Sequence, residues 1–187
     1  SNQNGLLAFH TDLKILIEDI SDAIKDQSKV STRLENVATI KYLWDIFRIL
    51  GETISSDFEL LHTNKQGDIH PSCIFINDDT IIINDNVKIS AGVILDASEG
   101  PIIIDSNSFI DIGSLIKGPV YIGNSTKINP GTKLIGPVVT GPLCKLGGEI
   151  EDSVIQGFSN KQHDGFLGHS YIGEWVNLGA STNTSDL

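Results

Sequence analysis

A six-residue period in the large aliphatic residues dominates the sequence from about Ile74 onward. The leading residues of these hexads are Ile83, Ile89, Leu95, Ile104, Ile110, Ile116, Ile122, Ile128 and Leu134, with three extra residues at "SEG" between Leu95 and Ile104. A fixed hexad period is typical of a parallel β-helix, in which each hexad forms one short strand and one turn. The sequence therefore predicts a mainly β solenoid.

Three hexads make a coil of 18 residues, so residues 18 apart are expected to stack in neighbouring coils. The predicted pairs are Ile104 on Ile122, Ile110 on Ile128 and Ile116 on Leu134. Glycine and asparagine tolerate the left-handed backbone angles of tight corners. We predict such angles at Asn86, Gly92, Asn107, Gly113, Gly123 and Gly131.

The first part of the chain has a helical period instead. One apolar face comprises Leu13, Leu16, Ile17 and Ile20, and a second comprises Tyr42, Leu43, Ile46, Phe47, Leu50 and Ile54. Such i, i+3, i+4 spacing predicts amphipathic helices. The second helix is expected to end around Gly51 or to continue one or two turns past it, because glycine in a helix interior costs only ~1 kcal/mol. We therefore divide the chain into a helical segment, 1–66, and a β-helix, 67–187.

Composition and charge narrow the class of partner. The formal net charge is −11, and the 13 lysines and arginines are scattered, whereas a nucleic-acid surface needs them clustered. The sequence has no run of about 18 apolar residues, so no membrane span is predicted. Cys73 and Cys144 lie 71 residues apart without a CxxC pair, which argues against a disulfide framework or a zinc site and fits the cytoplasm. We expect a small-molecule or protein partner.

The ends of the chain suggest a larger protein. The sequence contains no methionine, opens on Ser1 and stops at "STNTSDL", soon after a repeat turn. A solenoid end without a cap exposes apolar surface. We therefore expect further chain on both sides, with the β-helix truncated at its C-terminal end.

Two stretches carry a resemblance to known enzymes. "YIGNSTKINPGTKLIGPV" resembles the hexapeptide repeats of transferases that fold as left-handed parallel β-helices, and left-handedness is implied by this resemblance alone. "QHDGFLGHSYIGEWVNLGAST", residues 162–182, resembles the active-site stretch of the bifunctional N-acetylglucosamine-1-phosphate uridylyltransferase/glucosamine-1-phosphate acetyltransferase family. The spacing of that motif is kept without a gap from His163 to Thr182.

The wider segment resembles a related branch, the glucose-1-phosphate thymidylyltransferase-like sugar-1-phosphate nucleotidyltransferases. The similarity includes "GPLCKLGGEIEDSVIQGFSNKQHDG", and "YLWDIFRILGETISSDF" resembles the helix that links their two domains. This implies that the full protein joins a nucleoside triphosphate to a sugar 1-phosphate with Mg²⁺ and releases pyrophosphate. Residues 1–39 would be the tail of the nucleotidyltransferase domain, and that domain's nucleotide loop is not in this chain. No metal ion is expected in the β-helix.

The resemblance also implies an acetyltransferase site. His163 matches the general base that takes a proton from a sugar amine as the nitrogen attacks acetyl-CoA. Asn177 matches an amide that contacts the sugar and the acetyl group, and Ala180 matches a position lining the acetyl-CoA site. Phe166 replaces a substrate-contacting tyrosine. The family's phosphate-binding arginine and lysine have no aligned equivalents, so Lys145 and Lys161 are candidates by proximity only.

Several alternatives stay open at this point. His169 is a second candidate base, and Asp164 either orients His163 or is a solvated turn residue. Asp78, Asp79, Asp85 and Asp96 are interpreted as turn residues. The resemblance implies a homotrimer with acyl-CoA bound between neighbouring β-helices. The β-helix is then either an acetyltransferase domain or a non-catalytic module for trimerisation and regulation.

Overall fold

A computed structural model describes residues 40–61 and 66–184. Its single α-helix within these residues, α1, spans Asp45–Phe58. The helical face predicted from Leu13 to Ile20 lies outside the described residues, and the predicted boundary between residues 66 and 67 stays a prediction. Helix α1 continues two turns beyond Gly51, which confirms the longer of the two predicted lengths.

The rest of the described chain consists of short parallel strands. They are β1 (Asp68–Ile69), β2 (Ile74–Ile76), β3 (Ile81–Ile83), β4 (Lys88–Ile89), β5 (Ile94–Asp96), β6 (Ile102–Ile104), β7 (Phe109–Ile110), β8 (Leu115–Lys117), β9 (Val120–Ile122), β10 (Lys127–Ile128), β11 (Lys133–Thr140), β12 (Lys145–Leu146), β13 (Glu149–Ile155), β14 (Asn160–Lys161), β15 (Phe166–Gly168) and β16 (Tyr171–Ile172). A 3₁₀ turn, Asp78–Thr80, precedes β3.

The strands form a β-helix of about six turns. The first face is a sheet in the order β1-β4-β7-β10-β12-β14. The second face runs through β2, β5 and β8 and the third through β3, β6 and β9, and both continue into the long strands β11 and β13, which bend around the corner between them. The expectation of a mainly β solenoid of parallel strands preceded by a helix is confirmed.

The predicted core ladder is confirmed in register. The paired residues are Ile104 with Ile122, Ile110 with Ile128, and Ile116 with Leu134. All six of these side chains are 0 % exposed. The three extra residues at "SEG" lengthen one coil, because Ile83 pairs with Ile104 at a separation of 21 residues. The solenoid therefore absorbs an insertion at a corner without disturbing the stacked core.

Left-handed corners occur at five of the six predicted positions. Asn86, Gly92, Asn107, Gly113 and Gly131 have φ values between 59° and 70°. Gly123 is the exception, and the left-handed residue of its corner is Ser125, with φ 56°. Gly123 is needed for close approach instead, since a Cβ there would lie 2.5 Å from the backbone of Gly141 in the next coil.

Helix α1 covers the outer side of the third face. The isoleucine triplets of β3 and β6 are buried on both sides, because their middle residues, Ile82 and Ile103, point away from the solenoid core and pack against Leu50 and Ile54 of the helix. This explains why these two strands depart from the alternation of a half-exposed sheet. No helix in the described residues has the length and apolar character needed to cross a bilayer.

Tyr121 predicts how stability responds to alkaline pH. Its hydroxyl donates to Asp105 Oδ2 at 3.1 Å, and burial, with the nearby Asp105 carboxylate, raises the pKa of Tyr121 from 10.0 to about 12. The folded state therefore holds the phenol proton more tightly than the unfolded state. The resulting stability is present below pH 10 and is lost as the pH rises towards about 12.

We expect Tyr121→Phe to reduce the pH dependence of stability in that window. The measurement is the urea midpoint of both proteins at a series of pH values from below 10 to about 12. Lysine deprotonation in the same range affects both proteins, so the difference between them isolates the tyrosine. Parallel curves for the two proteins would contradict the assignment.

Candidate functional site

The structure brings four of the predicted site residues to one corner of the last two coils. His163 lies in the corner 162–165 between β14 and β15, and Phe166 is the first residue of β15. Asn177 bridges Asn160 of β14 in parallel register, which puts Ala180 in the next coil at the position equivalent to His163. Backbone bonds from Ser181 N to Asp164 O (3.0 Å) and from Thr184 N to Phe166 O (2.9 Å) hold the two coils together.

The imidazole of His163 is exposed at this corner. Within residues 40–61 and 66–184 it forms no hydrogen bond or ion pair, and the carboxylate of the neighbouring Asp164 is exposed and makes no bond to it. The interpretation of Asp164 as a solvated turn residue fits this arrangement. The orientation of the imidazole therefore depends on how the backbone of the corner is held.

Lys161 lies inside the solenoid, and its side chain is only 3 % exposed. Its Nζ donates to the carbonyl oxygens of Gly147 (2.9 Å), His163 (3.0 Å) and Gly165 (2.8 Å). Burial lowers the pKa of Lys161, and the carboxylate of Asp164 opposes that shift. All three donors of the ammonium are used, so the predicted contact of Lys161 with a phosphate stays a prediction that would require these bonds to break.

Lys145 points outward on the first face and has a neighbour that the sequence argument did not single out. It pairs with Lys127 in register on one side and with Asn160 on the other. Neighbouring strands are about 4.8 Å apart, and neither ammonium has an ion-pair partner among the described residues. Like charges at such spacing destabilise a sheet, and an anion bound between them would relieve this repulsion. An eighteen-residue spacing was the available signal for Lys127.

His169, the alternative base, lies at a different corner, between β15 and β16. Its Nε2 is 3.7 Å from Asp152 Oδ2, and its ring meets the edge of Phe47 in helix α1 with centroids 6.2 Å apart. The structure therefore separates His169 from the corner that carries His163, Ala180 and Asn177.

An aromatic pair flanks the first face and was not predicted. Phe158 and Trp175 stack with ring centroids 4.6 Å apart and planes 5° apart, and both have left-handed backbone angles, φ 62° and φ 60°. They precede Asn160 and Asn177 by two residues each, so the stack lies beside the outward amides. Bulky residues rarely adopt this backbone conformation, and the sequence pattern gave no reason to expect them at a corner.

Together these residues offer a base, two outward amides and a pair of lysines on adjoining surfaces of the final coils. No three His, Cys, Asp or Glu side chains converge to hold a metal ion in the described part of the chain. The sequence matches no family model, and it has no significant match among curated proteins.

Proposed function

We propose that this chain is the C-terminal part of a sugar-1-phosphate nucleotidyltransferase, and that its β-helix acetylates an amino sugar phosphate from acetyl-CoA. The solenoid is proposed to consist of left-handed hexapeptide repeats, as in the transferases that the motif resembles. The observation that carries the proposal is the convergence of His163, Asn177 and Ala180 on one corner of two adjacent coils.

The chemistry needs one proton acceptor. An imidazole titrates near neutral pH and suits this role. His163 takes a proton from the sugar amine as the nitrogen attacks the thioester carbonyl, a C–N bond forms, the C–S bond breaks, and the proton passes to the departing thiolate. Asn177 contacts the sugar and the acetyl group, and the backbone at Ala180 lines the acetyl-CoA site. Phe166, in place of a tyrosine, offers an apolar ring but no hydroxyl to the substrate.

Lys145 and Lys127 are proposed to hold the sugar phosphate, because their ammonium groups are adjacent and lack carboxylate partners. We expect Lys127→Ala/Lys145→Ala to raise KM for glucosamine 1-phosphate about tenfold or more with little change in kcat, since a charge-assisted bond contributes about 1.5–3 kcal/mol. Lys88→Ala is the matched control, because Lys88 lies in the same outward column, beyond Phe109. An equal rise in KM in the control would contradict the phosphate site.

The whole protein is proposed to join a nucleoside triphosphate to a sugar 1-phosphate. Mg²⁺ would serve that reaction in the nucleotidyltransferase domain, which the described residues do not contain. The acetylated product of the β-helix is a sugar 1-phosphate and thus a suitable substrate class for that domain. A cytoplasmic location goes with this function.

The second candidate function is a module for trimerisation and regulation, without catalysis. Apolar side chains on the outer surface favour it: Ile74 and Ile76 at the start of the second face are 52 % and 43 % exposed, and Ile112 at a corner is 54 % exposed. Packing of copies side by side would cover such residues. In the proposed homotrimer the acyl-CoA site would form between neighbouring copies, so assembly and catalysis are compatible.

Turnover by the full-length protein separates the two candidates. We expect release of CoA thiol from acetyl-CoA with glucosamine 1-phosphate, and none with glucose 1-phosphate, which lacks the amine. A trimeric protein that consumes nucleoside triphosphate and a sugar 1-phosphate but releases no thiol with either sugar would favour the assembly module.

A further inference from the structure

A lysine occupies a position that the core ladder gives to aliphatic residues. The inward residues of the first face are Ile69, Ile89, Ile110, Ile128, Leu146 and then Lys161, each paired in register with the next. A buried ammonium is costly unless its hydrogen bonds are satisfied. A specific local demand must therefore offset the loss of an apolar side chain here.

That demand arises from one shortened corner. Four residues, 129–132, separate β10 from β11, and four, 162–165, separate β14 from β15, but only Gly147 and Gly148 separate β12 from β13. The coil between Lys145 and Asn160 is accordingly 15 residues long. The shortened corner lacks the inward residue that Thr132 supplies in the preceding coil, where its side chain is 0 % exposed.

The ammonium of Lys161 fills this space. A Cβ on Gly148 would lie 2.8 Å from Nζ, so glycine at that position leaves room for the lysine. The three carbonyl oxygens that accept from Nζ, at 2.8–3.0 Å, belong to the shortened corner (Gly147) and to the following corner (His163 and Gly165). Only the ammonium form has three N–H donors, and that form joins the two corners.

A second side chain spans the same gap from the other side. Asn129 Nδ2 donates to Gln162 O at 2.8 Å across the shortened coil. The backbone of corner 162–165 is therefore held by polar bonds on both sides of His163. The imidazole itself has no hydrogen-bond partner among the described residues, so these backbone bonds are the local constraint on where it stands.

We propose that Lys161 is a positioning residue, whose buried ammonium fixes the backbone of the His163 corner through the carbonyls of Gly147, His163 and Gly165. The catalytic part of this inference rests on the proposed acetyl transfer, whereas the holding of the corner does not. Lys161 does not touch substrate. It acts through His163, in place of the side-chain partner that often orients a catalytic base.

The test compares Lys161→Met with wild type by amide hydrogen exchange and by acetyl-transfer kinetics of the full-length protein. We expect faster exchange at residues 162–166 and a fall in kcat of about 100-fold, since small misplacements of a reacting group have effects of that size. KM for acetyl-CoA is expected to change little. Leu146→Ala is the control, because Leu146 is the adjacent inward residue and its loss leaves a cavity without removing a bond to the corner.

Chemical rescue tests the role of the N–H donors. We expect propylammonium chloride to restore part of the kcat of Lys161→Ala and to slow exchange at 162–166, because it returns the missing carbons and the ammonium. Tetramethylammonium chloride carries the same charge without N–H donors and should do neither. If Lys161→Met does not fold, Lys161→Gln, which has two donors on a shorter side chain, is expected to show a smaller rise in exchange.

The outcomes separate the two proposals. Unchanged exchange at 162–166 in the lysine variants, or equal effects of both ammonium salts, would overturn the role of Lys161. Absence of acetyl transfer in the wild type would overturn the proposed function and the catalytic part of the inference, while exchange and rescue would still decide whether Lys161 holds the corner.

Discussion

Replacement of His163 by alanine is expected to lower kcat for acetyl transfer to glucosamine 1-phosphate by about 10²–10⁴-fold, the usual contribution of a general base. The imidazole is the titratable group that the structure brings next to Ala180 and Asn177, and it is exposed to substrate. Because its side chain has no partner among the described residues, its removal should leave the fold intact. The assay is steady-state thiol release, with unfolding measured in parallel.

His169→Ala is the matched control for this prediction. His169 lies at another corner, near Asp152 and Phe47, so its loss should leave kcat nearly unchanged. If His169→Ala abolished turnover and His163→Ala did not, the base would be His169. Unchanged turnover in both variants would remove histidine catalysis from the account.

Replacement of Ile116 by alanine is expected to lower the free energy of unfolding by about 2–5 kcal/mol, as other large-to-small core substitutions do. Ile116 is 0 % exposed and stacks between Leu95 and Leu134 in register. Strands on both sides hold this layer at fixed spacing, so the cavity cannot collapse easily. Since typical domains are stable by only about 5–15 kcal/mol, urea denaturation should show a large shift of the midpoint.

Ile112→Ala supplies the comparison with the same chemical change at the surface. Ile112 is 54 % exposed at a corner of the same coil, and its replacement should change stability by no more than about 0.5 kcal/mol. Equal losses in the two variants would show that the hexad positions do not form the core ladder described above.

The stacked core could be predicted from the sequence because its cause is local and repeated. Each leading residue, such as Ile110, is followed 18 positions later by another, such as Ile128, and parallel pairing requires only that equal coils superpose. Helix α1 could be predicted from its apolar face for the same reason. Its position on the third face was only implicit, in the isoleucine triplets of β3 and β6, where a residue between two core positions is itself apolar.

The inner part of the site could not be predicted this way. Lys161 was expected at the surface because lysine is rarely buried, and the structure gives it three carbonyl partners inside the solenoid. Its environment depends on a corner that is two residues short in the previous coil, a deviation from the repeat whose position the period itself does not fix. The pairing of Lys127 with Lys145 follows from coil length, whereas their lack of carboxylate partners depends on side chains from other faces.

The most direct test of the proposed site is a footprint of acetyl-CoA and glucosamine 1-phosphate on the full-length protein by amide hydrogen exchange. The account predicts slower exchange in the segment 160–182, which carries His163, Asn177 and Ala180, and a weaker effect around Lys145. Unchanged exchange in 160–182 with both ligands present, or protection confined to the rest of the protein, would contradict the claim that acetyl transfer takes place at this corner.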